Sequence, residues 1–198
     1  MPPIVALFLC AVFVFFLLWV EHKQRPDVSF TSWIPTIWML VIASKPLGRW
    51  FGTVGADLES GSSLDRAFLT VLLCLGVIVL VKRRFDFTKA MRENIWLILL
   101  VAYMLLSILW SDMQYVSFKR WTKEAVAVIM AFLVLTEEKP PKVLEVILRR
   151  TIYILIPFSY ILIHYYPEYG RTYHRWSGEL MWVGMTLQKN GLGRLCII

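Results

Sequence analysis

Residues 3–20, PIVALFLCAVFVFFLLWV, carry no charge and stop at Glu21-His22-Lys23-Gln24-Arg25-Pro26-Asp27. A bilayer core about 30 Å thick has no water to offer the backbone, so an apolar run of about 20 residues must close its own hydrogen bonds as a helix. Pro3–Val20 therefore reads as a first membrane span. Met1-Pro2-Pro3 lacks the basic flank of a signal peptide and no small-residue cleavage site follows Val20, so this span is expected to be retained. Working outward, the pattern recurs. Trp33–Ser44 is shorter and crosses only with help from residues 28–31, and Ala67–Val81 is halted by Lys82-Arg83-Arg84. Ile95–Trp110, Ala125–Thr136 extended back toward Trp121, and Thr151–Tyr166 follow, and Leu192–Ile198 starts another. The expected fold is all-α: a polytopic transmembrane helical bundle of about six spans plus the start of a seventh.

Composition agrees. The 198 residues are 58% hydrophobic with nine Trp, and the mean hydropathy is +0.62, which places the chain in the helical membrane class rather than among soluble globular proteins. Cys10, Cys74 and Cys196 all lie within apolar runs and read as small packing residues. The net charge of +7 suits phospholipid head groups or another anionic lipid. Nucleic acid is excluded as a partner, because no basic face falls on a soluble surface. Alternate loops carry eleven Lys and Arg on one side and nine on the other, with the densest cluster at Lys82-Arg83-Arg84. That cluster is assigned to the cytoplasm, which puts residues 165–194 and the N-terminus outside, provided that Trp33–Ser44 crosses. Glu137-Glu138-Lys139-Pro140-Pro141-Lys142 then reads as a short cytoplasmic turn, and Trp19, Trp50, Trp96, Trp110 and Trp121 as interface anchors at span ends.

Between the last two apolar runs lies Tyr165–Arg194, YYPEYGRTYHRWSGELMWVGMTLQKNGLGR. It gathers Arg171, His174, Arg175, Lys189 and Arg194 with Trp176 and Trp182, and Gly178, Gly184, Gly191 and Gly193 permit close backbone approach. Cations, flat aromatic rings and glycines together suit an anionic, partly sugar-like ligand at a membrane surface.

Within it, Arg175-Trp176-Ser177-Gly178, followed by Lys189-Asn190-Gly191-Leu192-Gly193 at the head of an apolar run, resembles the opening of the O-antigen ligase and exopolysaccharide polymerase family. Ser111-Asp112-Met113-Gln114-Tyr115-Val116-Ser117-Phe118-Lys119-Arg120-Trp121 is similar to a stretch of its exopolysaccharide polymerases. So are Lys45-Pro46-Leu47-Gly48-Arg49-Trp50-Phe51 and Gly61-Ser62-Ser63-Leu64-Asp65-Arg66. The resemblance implies a multi-pass protein of the bacterial inner membrane working on its periplasmic face. The parent protein would be a glycosyltransferase moving saccharide from undecaprenyl pyrophosphate to a saccharide or lipid acceptor, without metal or cofactor. Family members are much longer, and Cys196-Ile197-Ile198 ends inside an apolar run, so the chain reads as the N-terminal portion of such a protein. The expected catalytic His belongs to a later outer loop, and this portion alone is expected to be inactive.

The pyrophosphate-binding candidates are Arg175, Arg171, Lys189, Asn190, Lys119 and Arg120, with no catalytic residue assigned. Each has a plainer alternative. Arg175 is a bidentate phosphate clamp or a surface Arg beside lipid phosphates. Lys189-Asn190 places an ammonium and a capping amide at a helix N-terminus, or simply snorkels and caps. Lys119, Arg120 and Lys123 fall at helical spacing, flanking a pocket or anchoring an interface. His174 is a possible base but reads better as a surface residue, and Asp112 has at most a positioning role. His164, inside a span, reads as a neutral imidazole bonded to a neighbouring helix. The reading from another functional class is a non-catalytic membrane component, transporter-like, that binds the same lipid-linked saccharide.

Overall fold

The computed structural model describes residues 2–25, 28–51, 63–84, 86–174 and 176–197. It is helical apart from one short ribbon, in two compact units: residues 1–46 with 141–198, and residues 47–140. Three helices are long and apolar enough to cross a membrane, Pro3–Gln24, Ser63–Lys82 and Pro140–Tyr165. This is a helical membrane protein.

In the first unit, helix α1 (Pro3–Gln24) runs past Val20, where the apolar run had been expected to end the span. The reason is Glu21. It is buried and its Oε2 accepts from Arg150 Nε at 2.9 Å, so the helix gains a partner by continuing. Its four buried residues, Ala6, Cys10, Val14 and Glu21, form one stripe, while most of its large apolar side chains face outward. Helix α2 (Trp33–Ala43), led in by a tight turn at Phe30–Ser32, begins beside the same Arg150. Arg150 donates to Ser32 Oγ at 3.0 Å and lies 4.4 Å from the Trp33 ring. A buried ion pair earns its desolvation cost only with such extra contacts, and removing one partner strands the other.

In the second unit, α3 (Leu47–Trp50) is tied to α4 (Ser63–Lys82) by Leu47 N–H donating to Asp65 at 2.8 Å. A short α5 (Phe87–Glu93), capped by Asp86, leads to α6 (Ile95–Ser107), whose last turn tightens at Ile108–Trp110. Helix α7 (Gln114–Leu135) begins well before Trp121. Arg66 meets Tyr115 at 2.8 Å near the start of α4 and α7, and Arg83 meets Thr136 and Glu137 at 3.1 and 2.6 Å at their ends. The two helices therefore run parallel, with α6 returning between them in sequence. Their approach is close: a Cβ on Gly76 would stand 3.2 Å from Ile129 and 3.4 Å from Met130. Trp121, expected only to anchor, also donates from its indole to Val101 O of α6 at 3.1 Å.

Back in the first unit, α8 (Pro140–Tyr165) starts eleven residues before the expected Thr151, because Pro140 and Pro141 suit the first turn of a helix and the expected turn shrinks accordingly. Tyr166 precedes Pro167 and leaves the helical region, which ends α8. One helical turn, α9 (Pro167–Gly170), leads into antiparallel strands β1 (Arg171–Tyr173) and β2 (Leu180–Trp182), paired Arg171 to Trp182 and Tyr173 to Leu180. This ribbon is the one departure from an all-α reading among the described residues. The chain closes with α10 (Lys189–Ile197).

Candidate functional site

The segment 165–194 folds back on α8 rather than projecting from it, and proline chemistry begins the turn. Pro167 has no N–H, so the Ile163 carbonyl loses the partner that a continuing helix would supply. Arg171 supplies it instead, donating from Nε to Ile163 O at 2.8 Å. Gly170 lies flat on the same turn: a Cβ there would be 2.3 Å from the Leu162 carbonyl. Its own carbonyl accepts the amides of Val183 and Gly184 at 3.0 and 2.9 Å. Gly184, at φ +56°, allows the returning strand to touch α8, where a Cβ would stand 2.5 Å from that of Ser159. Met185 N–H donates to Ser159 Oγ at 3.1 Å.

Lys45, just past α2, completes the docking. It is buried, and its ammonium donates to the carbonyls of Tyr169 and Gly184, the latter at 2.9 Å. Its amide donates to Met185 O at 2.8 Å. By loop alternation Lys45 is one of the nine basic residues on the outer side, a position that predicts a solvated charge. The missing signal is tertiary, since the carbonyls it satisfies are more than 120 residues away.

Beneath this loop, α2, α8 and α10 enclose a cleft of about 470 Å³ within the first unit. Met39, Ile42, Leu148, Ile152 and Leu195 give it an apolar wall, and Ser44, Thr151, Thr186, Gln188, Asn190 and Arg194 a polar one. The Thr hydroxyls are spoken for: Thr151 donates to Ile147 O at 2.8 Å, and Thr186 Oγ1 lies 2.7 and 2.8 Å from the Val183 and Gln188 carbonyls. Asn190 and Arg194, both exposed, make no hydrogen bond or ion pair among the described residues. Together with the likewise exposed Gln188 side chain, they are the lining groups with donors to spare among the described residues.

Of the expected binding residues, Asn190 lines this cleft, and Lys189 opens α10 beside it. Asn190 is not the cap: Gln188 holds that place, its carbonyl accepting from Gly191 at 3.0 Å. Arg171 is half-buried with its Nε committed to α8. Lys119 and Arg120 belong to α7 in the second unit, where Lys119 Nζ lies 4.2 Å from the centre of the Tyr115 ring. Arg175 lies outside the described residues, as do Gly61 and Ser62. His174 Nδ1 accepts the Ser177 amide at 3.1 Å, which organises the ribbon's tip. His164 departs from expectation. It is exposed, with its ring 4.5 Å from that of Tyr160 on its own helix. Arg194, seen in the sequence as one cation among several, proves to be the one that faces the cleft.

Compared with models of known families, with curated proteins and with solved structures, the chain matches none.

Proposed function

We propose that this protein serves bacterial cell-surface polysaccharide assembly at the plasma membrane, holding an undecaprenyl-pyrophosphate-linked saccharide for transfer by an enzyme of O-antigen ligase or polymerase type. The observation that carries the reading is the cleft, where Asn190 and Arg194 present unused donors above an apolar wall. A guanidinium and an amide suit diphosphate oxygens, and the wall suits the first isoprene units. Cations placed there would also stabilise the charge that develops as the lipid diphosphate departs. Arg175 and Lys189 are assigned to the same anion, while Arg171, Lys119 and Arg120 are retained as outer basic residues.

The six-span, outward-facing arrangement belongs to this proposal. In the first unit, Glu21 and Arg25 at the end of α1 pair with Arg150 and Glu145 in the first half of α8. Lys45 after α2 meets the loop that follows α8. Both contacts fit loops that alternate sides. Helix α2 with its lead-in turn is about 22 Å long and α6 with its last turn about 25 Å, shorter than the hydrocarbon core, so their crossing needs flanking residues or a locally thinner bilayer.

The test uses the full chain in nanodiscs with undecaprenyl pyrophosphate, bound lipid being counted by native mass spectrometry. Arg194→Ala with Asn190→Ala is expected to lower retention of the diphosphate at least tenfold while leaving neutral undecaprenol unchanged, tenfold corresponding to about 1.4 kcal/mol. Equal retention of the two lipids by the unaltered chain, or no loss in the double variant, sinks the assignment.

A further inference from the structure

The β1–β2 ribbon has two unlike faces. Thr172 and Met181 point inward and are half-buried, while Tyr173, Leu180 and Trp182 are exposed at 73%, 47% and 60%. Trp176, near the tip, is 87% exposed. An aromatic face of this kind is costly in bulk water, since Tyr and Trp bring large apolar rings with one polar handle each.

Its height relative to the membrane follows from how it is docked. The base of the ribbon is fixed to α8 at three levels: Arg171 at Ile163, Gly170 at Leu162, and Gly184 with Met185 at Ser159. Ser159 lies six residues before the end of α8, hence about 9 Å back along the helix toward the bilayer centre. Helix α8 is one of the three long apolar helices, and Tyr160, Tyr165 and Tyr166 mark the aromatic end of its run. The ribbon's base is thus drawn down beside the last turns of a span instead of standing clear of it.

We propose that the outward face of this ribbon is seated in the headgroup–acyl boundary of the leaflet at the C-terminal end of α8, with phospholipid as its partner. Tyr173, Leu180 and Trp182 bury their rings and alkyl carbons among the upper acyl segments, as aromatic side chains do at bilayer interfaces. Arg171, on the same face by the strand register, turns the guanidinium nitrogens that α8 does not use toward lipid phosphates. The seating holds the cleft-side loop at a constant depth. It depends on α8 lying in the bilayer and not on what the cleft binds.

The test is a depth measurement on the full chain. In a Cys10→Ala, Cys74→Ser, Cys196→Ser background, Leu180→Cys and Trp182→Cys are labelled separately with an environment-sensitive fluorophore and placed in nanodiscs of phosphatidylethanolamine and phosphatidylglycerol. The expected result is blue-shifted emission, strong quenching by lipids with a nitroxide near the headgroup, and weak quenching by aqueous iodide. Full iodide access without nitroxide quenching overturns the proposal. So does a label shielded only when soluble oligosaccharide is added, which would make the face a sugar-stacking platform. A second readout avoids the cysteines: Trp182→Phe in the otherwise native chain is expected to lower the share of tryptophan emission quenched by brominated lipid. An unchanged share overturns the seating.

Discussion

Arg171 illustrates how one side chain takes on a backbone duty. Its Nε donates to the Ile163 carbonyl only because Pro167 cannot. An unsatisfied buried acceptor costs about 1–3 kcal/mol, so Arg171→Ala is expected to destabilise the docked loop by that order. Pro167→Ala restores an N–H at the position where α8 would continue, and in that background the loss from Arg171→Ala is expected to fall by at least half. Hydrogen exchange of the Val183 and Gly184 amides, both bonded to Gly170 O, reads the effect locally. The same cost in both backgrounds would show that Arg171 acts in another way. Lys45 does comparable work, and neither residue's duty can be guessed from its charge. Glu21 and Arg150 belong here too, since a charged pair at this depth holds only because Ser32 and the Trp33 ring complete the arginine's surroundings.

At the scale of elements, close approach of helices decides more than hydrophobicity. Helices α4 and α7 meet at Gly76, and among apolar helices small residues allow the contact that large ones prevent. Gly76→Leu is expected to cost about 1–3 kcal/mol by overpacking against Ile129 and Met130, and Gly76→Ala less, because a lone Cβ needs only the Ile129 methyl, 3.2 Å away, to give by a few tenths of an ångström. Thermal unfolding in mild detergent checks it, and equal melting of Gly76→Leu and the unaltered protein would refute the packing. The ribbon shows the same logic in reverse. Gly170 and Gly184 let backbone lie against α8 where any side chain would collide, which turns a stretch without regular apolar pattern into a docked element.

For the whole molecule the open quantity is how many helices cross. Three are long and apolar enough to do so; the six-span proposal requires α2, α6 and α7 as well. Because α4 and α7 are parallel, topology reporters fused after Trp110 and after Thr136 are expected to fall on opposite sides, the former outside and the latter in the cytoplasm. Both on one side would remove α7 from the set of spans. Sequence by itself determined the class. Long uncharged runs leave a backbone no alternative to helix in hydrocarbon, and this made α1, α4, α6 and the apolar part of α8 legible from Pro3–Val20, Ala67–Val81, Ile95–Trp110 and Thr151–Tyr166. Segment 165–194 was legible as the place where chemistry gathers, through its cations, rings and glycines. Its form was not, because a loop's shape is set by which distant carbonyls need donors. Only the tertiary structure turned Arg171 and Lys45 toward backbone and left Asn190 and Arg194 facing the cleft. Hydropathy is a property of each residue and can be read along the chain; hydrogen-bond satisfaction belongs to pairs that only folding brings together.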